Sequence, residues 1–244
     1  MTTRRLEDVS DRNLALELVR VTEAAAIVQS FFPGEAGARA VAGVIGGRVN
    51  PSGRLPVSVP GRPGVQPSTY LAARLARASD VSNTDPTPAF GFGHGLSYTH
   101  FDWSDLELLQ DTADTAGEFR IALTVRNTGR RSGTEVVQLY LHDPVAQVTR
   151  PWARLIGFAK VRLEPGGAER IRFVGHADLT AFTGRSGRRV VEPGDIELRL
   201  ASSSADEAIR HRATLRLVGR VRELPPPLER SAPNRLVCRV ETVG

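Results

Sequence analysis

The sequence predicts a mainly β protein, an antiparallel β-sandwich preceded by a partial α/β segment. Three observations predict it. Beyond Phe101 the chain alternates apolar and polar residues in about seven short segments, the two-residue period of half-buried strands. Turn residues separate those segments: Asn127-Thr128-Gly129, Glu164-Pro165-Gly166-Gly167 and Glu192-Pro193-Gly194-Asp195. Three- and four-residue apolar spacing, the mark of helices, is confined to the stretch before Gly46.

Taken in order, residues 14–30 (LALELVRVTEAAAIVQS) carry mixed helical spacings and many helix formers, which predicts a first helix. Phe31-Phe32-Pro33-Gly34 breaks it. Residues 35–45 predict a second helix, entered through Pro33-Gly34 and stopped by Gly46-Gly47. Asn50-Pro51-Ser52-Gly53 reads as a turn, and Leu55, Val57 and Val59 alternate as in a short strand. Two helices and one strand cannot cover both faces of a sheet, so residues 1–60 are expected to be a partial α/β segment. Its apolar positions Ile27, Phe31, Phe32, Val41 and Val44 are expected to be incompletely covered.

Residues 61–96 are dense in Pro, Gly, Ser, Thr and Asn and are expected to be a linker. Residues 97–219 then form the sandwich, with Leu123, Val125, Val137, Leu139, Leu141, Phe173, Ile196 and Leu198 facing inward and Gln138, Tyr140 and His142 on the other face. With no Cys–Trp–Cys framework, a fibronectin-III-like antiparallel β-sandwich fits better than an antibody-type one. Residues 220–244, rich in Pro and Arg, are expected to be a poorly ordered tail.

A hydrophobic fraction of 41% with 24% charged residues excludes wholesale disorder. No run approaches the roughly 18 apolar residues of a membrane helix, and residues 1–20 lack the apolar core of a secretory signal. A single cysteine, Cys238, excludes an internal disulfide. A cytoplasmic protein is expected, with no membrane partner. The net charge of +5 raises nucleic acid as a partner, but Lys160 is the only lysine and the arginines are dispersed. Spread charge without aromatic interleaving argues against nucleic-acid binding.

No catalytic constellation stands out from the residues alone. Gly91-Phe92-Gly93-His94-Gly95 has the glycine density of a dinucleotide loop but lacks the strand before it and the helix after it. His94, His100, His142, His176 and His211 have no histidine partner at i+4, and only His176 has a carboxylate, Asp178, close behind. Ser52 lies in a turn, outside any nucleophile elbow. Glu164, Glu192 and Asp195 occupy turns, and Cys238 sits in the tail. Glu35 is most simply a first-turn residue favoured by the helix dipole. Trp103 and Trp152 are isolated. No catalytic, cofactor-binding or metal-binding residue is therefore assigned.

The run FFPGEAGARAVAGVIGGRVNPSGRLPVSVP (31–60) nevertheless closely resembles a segment of glycoside hydrolase family 3, the β-glucosidase and β-xylosidase family, where it ends the α/β sandwich domain. The run FGFGHGLSYTHF (90–101) resembles that family's passage into its C-terminal domain. NTGRRSGTEVVQLYLHDP (127–144), the R-P…L-I-G-F-A-K-V…L-E-P-G pattern (150–166) and VVEPGDIEL (190–198) resemble its fibronectin-III-like domain, in order and spacing. The resemblance implies the C-terminal part of a β-glycosidase. It also implies that the aspartate nucleophile comes from a barrel domain, and the acid/base glutamate from an earlier part of the second domain. Neither position is matched here, so Glu35 inherits no catalytic role, and this chain alone is expected to be inactive. A barrel-containing fragment is the implied partner, with carbohydrate bound only by the complete enzyme. The alternative is a stand-alone accessory or carbohydrate-binding module.

Overall fold

The structure, a computed structural model, describes residues 7–8, 25–61, 69–83, 85–225 and 238–243. Strands β1 (Glu7–Asp8) and β2 (Ile27–Val28) pair in parallel. This corrects part of the helix expected over residues 14–30. Ile27 and Val28 are β-branched, stiff at χ1 and suited to a pleated surface; residues 14–24 of that expectation lie outside the described residues. Helix α1 (Gly37–Ile45) follows as the second predicted helix, and Gly47, at φ 70°, ends it. Its buried residues are Gly37 and Gly43. A side chain at Gly43 would bring its Cβ to 2.9 Å from Val49 Cγ2, so glycine lets the returning chain pack against the helix.

The strand expected at residues 55–59 shrinks to one bridge, Val59 opposite Phe90. Pro56 and Pro60 have no N–H to give a ladder. Backbone bonds from Gly93 N to Leu55 O (2.7 Å) and from Leu55 N to His94 O (2.9 Å) complete a loose pairing of 55–59 with 89–94.

The sandwich is built from β3 (Phe101–Leu108), β4 (Thr112–Asp114), β5 (Glu118–Asn127), β6 (Gly133–His142), β7 (Arg154–Leu163), β8 (Ala168–His176), β9 (Phe182–Thr183), β10 (Arg189–Val191), β11 (Gly194–Ala201), β12 (Ile209–Val218), β13 (Arg222–Glu223) and β14 (Arg239–Val243). One sheet runs β4-β12-β11-β6-β7 and the other β14-β8-β5-β3, with a small β13-β10-β9 sheet beside them. The pairs are antiparallel except β4 with β12, which is parallel. All eight residues expected to face inward are at most 3% exposed.

Three other expectations change. The tail contributes two strands: β13 pairs with β10, and β14 pairs with β8 as an edge of the four-stranded sheet. Its period-2 run Arg239–Val243 is short and follows a Pro- and Arg-rich stretch, which masked it. Gln138 and Tyr140, on the outward face of β6, are nearly as buried as the core, because Tyr70 and Phe92 pack over them. The described part of 61–96 is thus laid against the sandwich rather than spanning open solvent, and Ala73 bridges Pro151.

Two asparagines join the pieces. Asn50 accepts hydrogen bonds from Ser97 Oγ (3.0 Å) and Tyr98 N (2.8 Å) and donates to Ser132 O (3.0 Å). Asn127, fully buried, accepts from Thr99 Oγ1 (2.8 Å) and donates to Arg131 O and Leu163 O. At Asn127, where the amide is buried, the bonded groups fix the geometry, since leaving one unpaired costs about 1–3 kcal/mol.

Candidate functional site

The histidines and acids singled out in the sequence scatter. Glu35 is exposed ahead of α1, and His100 is exposed before β3. His176 bonds the Ala116 carbonyl at 2.9 Å and accepts from Asp178 N at 3.1 Å, while Asp178 also pairs with Arg222. His211 Nε2 lies 3.1 Å from Trp103 O. Glu192 is held by Gln147, and Asp195 faces Arg216 at 3.5 Å. Cys238 is buried against Gly157, and burial pushes its thiol up to about 12, so it stays protonated and unreactive. Among the described residues, no three His, Cys, Asp or Glu side chains gather as a metal site would require.

Two of them, His94 and His100, line a cleft. It is an open cavity of about 940 Å³ between the 87–97 strip and the 202–208 turn, lined among others by Arg54, Tyr70, His94, Glu135, Trp152 and Asp206. The loose pairing with 55–59 presents His94, and its ring leans on Phe90 at 5.1 Å. Burial, reinforced by the Arg54 charge, pushes the imidazole below its usual range, so it is neutral at pH 7.

The floor is a chain of bonded polar groups, in which Arg54 Nε is left without a partner. Arg54 Nη2 meets Glu135 Oε1 at 2.9 Å, and the same oxygen accepts Val136 N at 2.7 Å. Gln138 donates to Gly93 O (3.0 Å) and Ser202 O (2.7 Å), and Tyr140 donates to Gln138 Oε1 at 2.6 Å. Tyr70 stacks on Phe92 with centroids 4.1 Å apart. On the far side, Trp152 Nε1 donates to Asp206 Oδ1 at 2.9 Å, and Arg77 grips the same carboxylate at 2.5 Å. Burial opposes that charge, but the bonds from Arg77 and Trp152 outweigh it and hold Asp206 below the usual carboxylate range.

This arrangement accepts and donates hydrogen bonds but is poorly built for proton transfer. Asp206 stays ionised near neutrality, and Glu135 is committed to Arg54. Trp152 offers no open sugar platform: Arg77 and Arg199 lie over its ring at 4.4 and 4.7 Å, and His142 is 4.6 Å away. Sequence reasoning left Trp152 isolated because its partners, Arg77, Arg199 and Asp206, are far along the chain. Gln138 and Tyr140 were missed as buried groups because alternation alone puts them on a wet face.

Two family models match the chain: the C-terminal domain of glycosyl hydrolase family 3 over residues 9–98, and a fibronectin type III-like domain over residues 135–204. A beta-xylosidase of Formosa agariphila is 36% identical over 185 residues, which cover 74% of this chain and 26% of that protein. A periplasmic beta-glucosidase of Salmonella typhimurium is 33% identical over 193 residues, covering 75% of this chain and 25% of that one. Among solved structures, a β-glucosidase of Erythrobacter marinus is similar with a TM-score of 0.75 at 35% identity, over 82% of this chain and 26% of its own. The chain spans about a quarter of the length of the curated relatives it matches. No helix among the described residues is long and apolar enough to cross a membrane.

Proposed function

Because the chain belongs to glycosyl hydrolase family 3, as its C-terminal domain joined to a fibronectin type III-like domain, we propose that it is the C-terminal part of a β-glycosidase that hydrolyses O-glycosyl bonds. The observation that carries this is collinearity. The two matches follow one another in order, and Arg54 of the first is ion-paired with Glu135 of the second at 2.9 Å.

In this role the chain supplies scaffold, and the reacting groups come from elsewhere in the enzyme. Glycoside hydrolysis needs two carboxyl groups, about 5–5.5 Å apart for retention, one of them protonated at working pH. Of the cleft carboxylates, Glu135 and Asp206 are instead ion-paired, with Arg54 and Arg77. The partner is a barrel-containing portion, on the same or a separate chain. Its contact surface lies on and around α1, where Phe32 is 86% and Ile45 50% exposed. Large apolar side chains left open to solvent mark a surface that packs against something.

The test uses the 244-residue chain with aryl β-glucosides and aryl β-xylosides. Turnover at the buffer rate is expected, with hydrolysis appearing when a barrel-containing fragment of a relative is added. Hydrolysis by the chain alone that disappears in Glu35→Ala would instead make Glu35 catalytic and overturn the proposal.

A further inference from the structure

The 69–83 stretch is fastened to the sandwich at two points. At one, Tyr70 stacks on Phe92 and meets Tyr140 edge-on, with centroids 6.3 Å apart. At the other, Arg77 pairs with Asp206 and lies 4.4 Å over the Trp152 ring. The backbone between them is fixed as well. Trp152 N donates to Ala72 O at 3.0 Å, and Ala76 N donates to Ala73 O at 2.9 Å, within the single 3₁₀ turn Arg74–Ala76.

These anchors hold apolar side chains outward. Leu75, in the turn, is 95% exposed, and Val81 is 97% exposed. A lone exposed leucine is ordinary on a protein surface. Leu75 and Val81, however, line one groove of about 420 Å³ with Ala78 and Trp152, and Arg74 and Arg77 stand at its sides. The backbone beneath them is bonded to the sandwich, yet neither side chain gains burial from it. A segment ordered before its partner arrives loses little conformational freedom on binding, so its apolar side chains add to affinity at low entropic cost.

The occupant follows from the relatives. The stretch lies inside residues 9–98, which match the family's C-terminal domain. This chain covers about a quarter of the length of those relatives, so most of each relative's chain is available to close over the groove. We propose that Leu75, Val81 and the groove between them dock on an apolar patch of the barrel-containing portion, a second contact that shares no residue with the one at α1. It rests on the reading of this chain as the C-terminal part of a β-glycosidase.

The test is calorimetric titration of the 244-residue chain with a relative's β-glucosidase truncated before its matched C-terminal quarter. The parent is compared with Leu75→Asp, Val81→Asp and Ile45→Asp. A carboxylate forced into an apolar contact should raise the Kd at least about tenfold for Leu75→Asp and several-fold for Val81→Asp. Amide exchange over residues 71–79 should slow when the parent is bound. If Leu75→Asp and Val81→Asp bind as the parent does while Ile45→Asp is weakened, the second contact is overturned and the reading of the chain stands. If the parent does not bind, that reading falls and the contact with it. If sedimentation shows a dimer of the parent that Leu75→Asp dissociates, the groove holds a second copy and the proposal is overturned. Should Leu75→Asp not fold by circular dichroism, Leu75→Ser decides in its place, and an unchanged Kd overturns the proposal.

Discussion

Strand β5 and helix α1 are both apolar along one side, yet they end in opposite states. In β5, Phe119, Ile121, Leu123 and Val125 are fully buried between two sheets. In α1 the buried positions are two glycines, and Ile45 at its end is half exposed. The sandwich therefore closes a core from its own residues, whereas the described α/β residues leave theirs open. Stability in this chain should be concentrated in the first region, and surface for association in the second.

The largest effect expected from this contrast is in the core. Phe119→Ala removes a ring packed against Gly175, where a single added Cβ would already come within 2.3 Å of it. The loss should be about 3–5 kcal/mol, from lost burial plus the cavity left behind. Ile45→Ala, by contrast, should change stability by no more than about 0.5 kcal/mol. Urea unfolding of both variants measures the difference. Equal losses would mean that α1 and the sandwich share one core after all.

A smaller effect is expected at the seam between the two regions. Gln138 joins three elements: the Gly93 carbonyl of the strip over the sheet, the Ser202 carbonyl after β11, and the Tyr140 hydroxyl. Gln138→Ala leaves those groups buried and unpaired, a cost of about 1–3 kcal/mol. Amide exchange should also quicken at Leu55 and Gly93, whose paired backbone bonds lie above it. Slower or unchanged exchange there, with stability intact, would show the strip to be held by Tyr70 and Phe92 alone.

How much of this was legible in the sequence follows the same division. The strands of the sandwich announced themselves because their sequences alternate apolar and polar residues, so that Leu123, Val137 and Ile196 could be placed without coordinates. Gln138 and Tyr140 could not, since their face is covered by Tyr70 and Phe92, remote in sequence, a tertiary fact that alternation does not encode. β2 was read as helix because Ala24, Ala25 and Ala26 favour helix, while the pairing that makes Ile27 and Val28 a strand comes from Glu7 and Asp8. β14 was hidden by its neighbours' composition. Of the cleft lining, His94, His100 and Trp152 are singled out in the sequence, without a role that links them. Trp152, Arg77 and Asp206 carry no motif, and their meeting depends on the turn after β11 reaching the 69–83 stretch.

The smallest expected effect is electrostatic and belongs to His94. Burial first, and Arg54 second, depress its pKa in the folded chain below the unfolded value of about 6.5. The unfolded chain therefore takes up the proton more readily. The stability His94 contributes is fully present above the unfolded pKa and is lost as pH falls from there through the folded pKa. Between pH 7 and pH 5 the parent chain should lose stability more steeply than His94→Gln, which cannot titrate. His142, also depressed by burial, titrates in the same direction in both chains and cancels in the comparison. Because the imidazole is only half-buried, solvent screening keeps the difference below either of the effects above. Urea midpoints for the two chains at pH 7, 6 and 5 measure it, and an NMR titration of the His94 ring fixes the folded pKa. A folded pKa at or above 6.5, or parallel pH slopes for the two chains, would mean that the cleft is wetter at His94 than its packing on Phe90 implies.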